Sequence, residues 1–258
     1  MAANPVPIWW DDPADAFTNM AADELLAAEA DRRGGLVVRL YGWSPASVSL
    51  GAFQEIAVAR GRPEIAGLPL VRRPSGGGAI VHGSDLTYAA AIPRTHPWAA
   101  AAQPLYDAFH AALVAELAHR GIAARQHRRG GVDERDGRFL CFDRRAEGDV
   151  VVSPAGSGPS PDDPKILGSA QRRLAGVVLQ HGSLLLRAAA AGDHPGLLDL
   201  HPQAVPAPRT LVASWLERVA QACGSPVAWQ PRGFRVGRDA EVAAAAVRFR
   251  EARWLERR

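Results

Sequence analysis

The chain has 258 residues, 47% apolar and 22% charged, and carries a net charge of +3. That length supports a well-buried core, and no apolar run reaches the roughly 18 residues of a membrane span, so a membrane protein is not expected. The charge is too small and too scattered for a nucleic-acid binder, though a mild excess of cations suits an acidic protein partner.

Two cysteines, Cys141 and Cys223, give no disulfide framework. The N-terminus lacks the basic region and apolar core of a secretory signal, so a cytoplasmic location is expected. From Asn19 to Arg33 the pattern predicts an amphipathic helix, with Met20, Leu25 and Ala28 facing a core and Gly34-Gly35 as its stop. Two strand-like runs follow, LVVRLYGW (36–43) and ASVSLGAF (46–53), with Ser44-Pro45 between them. Residues 69–73 lead into RRPSGGGAIVH, after which Ala79–Val81 and Leu86–Ile92 read as a second strand pair. Gln103–Arg120 reads as a long helix with Leu105, Phe109, Leu113 and Leu117 at helical spacing, stopped by Gly121.

Beyond it come a strand over Ile122–Gln126, a polar loop over 128–138, and two short apolar runs, FLCF (139–142) and DVVV (149–152). Residues 153–164, SPAGSGPSPDDP, have the composition of a mobile surface loop. KILGSAQRR and GVVLQHGSLLLR read as a hairpin, and helices over 210–223 and 239–257 finish the chain. Strands and helices interleave without a regular βα alternation. This predicts one α+β domain over 1–258, a mixed sheet flanked by helices, with a helical part from 209 to 258.

Three features bear on chemistry. Three adjacent glycines weaken regular structure by roughly 0.5–1 kcal/mol each relative to alanine. Gly76, Gly77 and Gly78 therefore mark a place where something lies directly on the backbone. SGGG fits neither nucleotide-binding glycine motif, but its bare N–H groups suit a carbonyl, carboxylate or phosphate, and Arg72 and Arg73 stand beside it. Of the 30 basic residues, 29 are arginine, so Lys165, the sole lysine, sits where a compact ammonium serves and a guanidinium does not. The small residues Gly168, Ser169 and Ala170 that follow it, before Gln171, indicate a narrow channel or a close ligand. Cys141, between phenylalanines, reads either as a small buried hydrophobe or as a nucleophile. His181, in an apolar strand, reads either as a core residue or as part of a site.

Taken in order, RRPSGGGAIVH, KILGSAQRR and LQHGSLLL resemble the lipoate–protein ligase and octanoyltransferase branch of the biotin/lipoate ligase superfamily. So do RLYGWSPASVSLGAFQ and the helix carrying Asn19, Met20, Asp23 and Glu24. The resemblance implies that the turn of Ser75, Gly76, Gly77 and Gly78, with Arg72 and Arg73, lies against the activated end of an acyl group. It implies that Lys165 reaches the acyl carbonyl and that His82, Gly168, Ser169, Ala170, Gln171 and His181 complete the substrate site. Cys141 in its CFDRR…DVVV context favours the transferases, which move an octanoyl group from acyl carrier protein through a cysteine thioester to a lysine. The lack of the extra C-terminal domain of many ligases points the same way. The acceptor implied is a lipoyl domain, of the glycine cleavage H protein or a 2-oxoacid dehydrogenase E2. No metal or cofactor is implied, except ATP and magnesium on the alternative reading as an ATP-dependent lipoate ligase. A non-catalytic lipoyl-binding paralogue is the third reading. Pro164 and the stretch before it depart from the family's usual glycine-lysine turn.

Overall fold

The computed structural model describes residues 4–128, 138–189 and 194–257. In chain order run β1 (Val6–Trp10), α1 (Ala16–Arg33), β2 (Val37–Tyr41), β3 (Ser47–Leu50), α2 (Ile56–Arg60), β4 (Leu70–Arg72), β5 (Ile80–His82) and β6 (Asp85–Pro93). There follow α3 (Gln103–His119), β7 (Ala124–Gln126), β8 (Val150–Val152), β9 (Lys165–Arg173) and β10 (Val177–Leu185). The chain closes with α4 (Leu197–Leu200), α5 (Pro208–Ala222), β11 (Val227–Trp229), α6 (Asp239–Arg250) and α7 (Ala252–Leu255). The architecture is α+β: an 8-stranded mixed sheet, ordered β11-β1-β2-β6-β10-β9-β8-β7, and a 3-stranded sheet, ordered β4-β3-β5. No described helix is long and apolar enough to cross a membrane.

Strand β6 explains the layering. All nine of its residues are buried, so both faces of the large sheet are covered. Leu86, Tyr88, Ala90 and Ile92 pack on one side with Phe109 and Leu113 of α3 and Trp215 of α5. Ala89 and Ala91 pack on the other with α1, whose contact stripe is Met20, Ala21, Ala22, Leu26, Ala27 and Ala30. Ala28, expected to face inward, is exposed, and Leu25 is only half-buried. Met20 faces the core as expected, while Leu26 and Ala27 take the inward places expected of Leu25 and Ala28. Asp15 caps α1 by accepting from the N–H groups of Phe17 and Thr18. Gly34, at φ 69°, ends it in the left-handed conformation.

The strand pairs differ from expectation in two places. Runs 36–43 and 46–53 give β2 and β3, which belong to different sheets. Likewise β5 pairs with β3 and β6 with β2 and β10, so β5 and β6 are no pair. Gly83, at φ 133°, turns the chain between the two sheets, and its N–H is held by Asp85 Oδ1. Strand β1 was not legible because Pro7 interrupts it. Pairing with β2 begins only at Ile8, past Pro7, whose nitrogen has no proton to give. Strand β11 adds a parallel edge strand inside the C-terminal part read as helical. Residues 154–159 are exposed, while Asp163 at the base is buried and receives Ser153 Oγ, the Ser160 N–H and Arg125. Most of the polar loop over 128–138 lies outside the described residues.

A buried ion cluster ties α1 to the large sheet. Arg39 on β2 is fully buried and donates to Asp11 Oδ2 at 2.6 Å, Asp23 Oδ1 at 2.7 Å and Asn19 Oδ1 at 2.9 Å. Asp23 also accepts from Tyr41 Oη at 2.6 Å. Removing the cation would leave Asp23 buried without its arginine and Asp11 with Arg235 alone. Arg39→Met is therefore expected to cost about 3–5 kcal/mol of stability, read as a lowered denaturant midpoint.

Candidate active site

The glycine turn and the cysteine segment are joined through their main chains. Cys141 N–H donates to Ala79 O at 2.7 Å, and Ala79 N–H to Phe139 O at 3.0 Å. This bridge brings the backbones so close that a Cβ at Gly78 would lie 3.0 Å from both Cys141 Cα and Cys141 N and would collide with Arg144. On the other side, a Cβ on Gly51 would run into the Gly77 carbonyl. Gly77 itself takes φ 93°. Gly78 thus answers to chain packing and Gly77 to its backbone conformation, and the N–H groups of the turn are left bare. Among the described residues, no protein acceptor is hydrogen-bonded to the N–H of Gly76, Gly77 or Gly78.

Lys165 meets the cysteine here. A bulge between β8 and β9 sets Val150 opposite Leu167 but Val151 opposite Lys165, so Lys165 and Gly168 share a side of the strand. A Cβ on Gly168 would stand 2.5 Å from Lys165 Cε and 2.7 Å from Nζ, so the missing side chain is the room the lysine occupies. Nζ lies 2.7 Å from Asp149 Oδ2, 3.2 Å from Cys141 O and 3.4 Å from Cys141 Sγ. Burial opposes the charge, but Asp149 and Cys141 outweigh it and hold the ammonium above its ordinary pKa. The lysine remains a cation rather than being driven neutral by burial. Asp149 is fixed in turn by Tyr106 Oη at 2.8 Å and the Ala146 N–H at 2.7 Å.

A cleft of about 440 Å³, mouth included, opens beside these groups. Of the residues expected in the site, Arg73, Gly77, His82, Cys141, Gly168, Ser169, Ala170 and His181 line it. Lys165 and Gly78 abut Cys141 from behind. His181 Nε2 is 3.2 Å from Asp23 Oδ2 without hydrogen-bond alignment, so both ring nitrogens lack a protein partner among the described residues. Burial pushes its pKa below the ordinary value, and it is neutral.

The other expected residues stand elsewhere. Arg72 points away, donating to Leu255 O, Gly51 O and Gln54 O. Ser75 is buried, with its carbonyl accepting from Ala52 N–H. Gly76 sits beneath the exposed ring of Phe53. Gln171 bonds Gln180 Oε1 and Ala102 O on the opposite face of the sheet.

Sequence reasoning missed Asp149, Ser49, Tyr41 and Trp43. The need of a buried lysine for a counter-ion was the one signal for Asp149, which opens the DVVV run. Among the described residues, no group of three or more His, Cys, Asp or Glu is placed to hold a metal.

The family described as the lipoyl protein ligase A/B catalytic domain matches residues 15–195, and the chain belongs to that family. Octanoyltransferase LipM of Moorella thermoacetica is 35% identical over 180 residues, 67% of this chain and 62% of that protein. The chain thus spans less than two thirds of that relative's length. Octanoyltransferase LipM of Symbiobacterium thermophilum is 35% identical over 226 residues, 82% of this chain and 76% of that protein. Among solved structures, a lipoate-protein ligase A bound with ATP matches with a TM-score of 0.70 at 15% identity, covering 98% of this chain and 99% of that one. The bi-partite lipoate protein ligase of Thermoplasma acidophilum, described with its E2 lipoyl domain, gives 0.64 at 15% identity over 99% and 97%. These two likenesses establish the fold.

Behind the cleft, His110 supplies a pH signature. It is fully buried, with Nδ1 2.8 Å from Gly148 O and Nε2 2.7 Å from Ser169 Oγ. Burial pushes its pKa down to about 4. Between that value and the unfolded value near 6.5, only the unfolded chain binds the extra proton, so stability falls as pH drops through this window. Lowering pH from about 7.5 to about 5 is expected to cost the wild type about 2 kcal/mol through this residue. His110→Asn should lack that component, as urea unfolding at the two pH values would read.

Proposed function

We propose that the chain is an acyltransferase that takes an octanoyl group from acyl carrier protein onto Cys141 and passes it to a lysine of a lipoyl domain. The observation that carries this reading is the contact of Cys141 Sγ with Lys165 Nζ at 3.4 Å, beside a turn with unpaired N–H groups. Two relatives whose name is octanoyltransferase, each 35% identical, support it.

In the first half-reaction the Cys141 thiolate attacks the thioester carbonyl. The C–S bond to the carrier breaks, and the carrier's thiolate leaves and takes a proton from water. In the second, the neutral amine of the acceptor lysine attacks the acyl-cysteine. The amide C–N bond forms, the Cys141 C–S bond breaks, and the amine proton passes to the departing sulfur or to solvent. Lys165 and the Gly77 N–H stabilise the oxyanion of both tetrahedral species. The Lys165 ammonium also stabilises the thiolate each time it is set free. Thioester to thioester to amide runs downhill, so no nucleotide is needed. The acceptor is the lipoyl domain of a glycine cleavage H protein or a 2-oxoacid dehydrogenase E2, and the exposed ring of Phe53 beside Gly76 would meet the carriers.

Mixed with octanoyl-acyl carrier protein and no ATP, the chain should gain one octanoyl group on Cys141 by intact mass. Cys141→Ser should gain none and keep its fold, since a serine hydroxyl without a dedicated base is a poor nucleophile. Full activity in Cys141→Ser, or acylation only from free acid with ATP, would replace this reading with the ligase. Lys165→Arg keeps the charge but not the shape, because the guanidinium is wider than the space Gly168 leaves. Loss of one placed oxyanion donor costs about 10²–10³ in rate. Single-turnover acylation of Lys165→Arg should therefore fall at least about a hundredfold. A loss under about fivefold would remove Lys165 from the mechanism.

A further inference from the structure

One arginine of the cleft wall remains outside the reaction steps. Arg73 is 4% exposed, yet its guanidinium has no carboxylate partner among the described residues. Burial pushes its pKa down to about 10, so it is still charged at neutral pH. Its two terminal nitrogens tie strand β3 to the glycine turn. Nη1 donates to Ser49 O at 2.9 Å and Ser49 Oγ at 3.2 Å, and Nη2 to Gly76 O and Gly78 O, each at 2.7 Å.

The consequence lies in peptide geometry. In a trans peptide the C=O and the following N–H point in opposite directions. Holding Gly76 O against Arg73 therefore turns the Gly77 N–H away from it, and Gly77 is the glycine of the three that lines the cleft. Holding Gly78 O does the same for the Ala79 N–H, but that donor is taken up by Phe139 O. The Gly77 N–H is left pointing away from Arg73, with no protein acceptor among the described residues.

Behind Arg73 runs a second string. Ser49 Oγ lies 2.8 Å from His82 Nε2, and His82 Nδ1 2.8 Å from Asp85 Oδ2. The same carboxylate receives Thr87 Oγ1 at 2.9 Å, Ser183 Oγ at 2.7 Å and the Gly83 N–H at 3.2 Å. Burial would raise the Asp85 pKa, but these donors outweigh it and hold the group an ionised acceptor. His82 thus turns Nδ1 to the Asp85 carboxylate and Nε2 to the Ser49 hydroxyl. Trp43 stacks on the His82 ring at 3.7 Å and fixes its plane. Serine, histidine and aspartate in this order also make a nucleophile relay. Here, however, the Ser49 oxygen accepts from a guanidinium and is buried, which suits an anchor and weakens a nucleophile.

We propose that Arg73 is a positioning residue that holds the Gly77 N–H toward the cleft as an oxyanion donor, and that Ser49, His82 and Asp85 lock Arg73 in place. The proposal rests on the transferase reading. It reassigns Arg73 from touching substrate to shaping the turn.

The test compares acyl-Cys141 formation from octanoyl-pantetheine and from its dithioester analogue, whose sulfur accepts hydrogen bonds poorly. Wild type should prefer the oxygen compound. Arg73→Lys, which cannot reach both carbonyls and Ser49 together, should lose about a hundredfold in acylation rate with KM within about twofold. Its preference for the oxygen compound should largely disappear, an effect that general loosening of the fold would not produce. If Arg73→Lys does not fold, Ser49→Ala serves, with about a fivefold loss of the preference expected from one removed hydrogen bond. An undiminished preference in the folded variant overturns the proposal, as does labelling of Ser49 by an octyl fluorophosphonate. Failure of the wild-type chain to be acylated on Cys141 from octanoyl-acyl carrier protein sinks the transferase reading and the proposal together. The two failures are thus told apart.

Discussion

Two main-chain hydrogen bonds, Cys141 N–H to Ala79 O and Ala79 N–H to Phe139 O, are the constraint on which the site depends. They lay the cysteine segment along the glycine turn as if it were a further strand. The same bonds leave no room for a side chain on Gly78, which faces the Cys141 backbone, while the Gly77 carbonyl leaves none on Gly51. Three glycines in a row are costly in a regular element. Here they let two backbones meet, and the meeting puts a thiol next to bare N–H groups. Packing and chemistry thus have a single cause, and the turn would be glycine-rich even if only one of them mattered.

The lone lysine obeys a comparable constraint. An ammonium has three protons, and Lys165 has three acceptors: Asp149 Oδ2, Cys141 O and Cys141 Sγ. Two of these face the reacting segment, while the third neutralises the charge that burial would penalise. A guanidinium would carry its donors in one rigid plane and needs width that the strand supplies only by dispensing with a side chain at Gly168. In a chain that otherwise uses arginine, that difference of shape explains why lysine stands here.

Elements with strong periodicity were legible in the sequence: α1, α3, and the hairpin of β9 and β10. Strand β1 was not, because proline masks it, and β11 was not, because three residues carry no pattern. Pairing was less legible than the strands, since Gly83 sends β5 and β6 into separate sheets. Within the site, Cys141, Lys165, Gly77 and His82 stood out by residue type and motif. Arg72 and Arg73 looked alike, but neighbouring residues on an extended chain point to opposite sides. One therefore braces the C-terminal helices and the other the glycine turn. Ser49 and Trp43 left no mark of their own role in the sequence because each acts through a partner distant along the chain, and Asp149 was signalled only by a buried lysine's need of a counter-ion.

The walls of the cleft belong to networks that also hold the fold. Tyr41 bonds Asp23, Asp23 bonds Arg39, and Thr87 and Ser183 bond Asp85. Side chains fixed in this way cannot swing to follow a ligand, so the donors of the site are already aimed before anything binds. Among the described residues, what the cleft leaves unsatisfied is small: the Gly77 N–H and a neutral His181. The rest of its lining includes Met20, Trp43, Ile80 and Ala170. A ligand matched to such a surface is apolar along its length and polar at one point. An acyl chain with a single carbonyl has that form, and the thiol of Cys141 stands beside the N–H groups that would meet its oxygen.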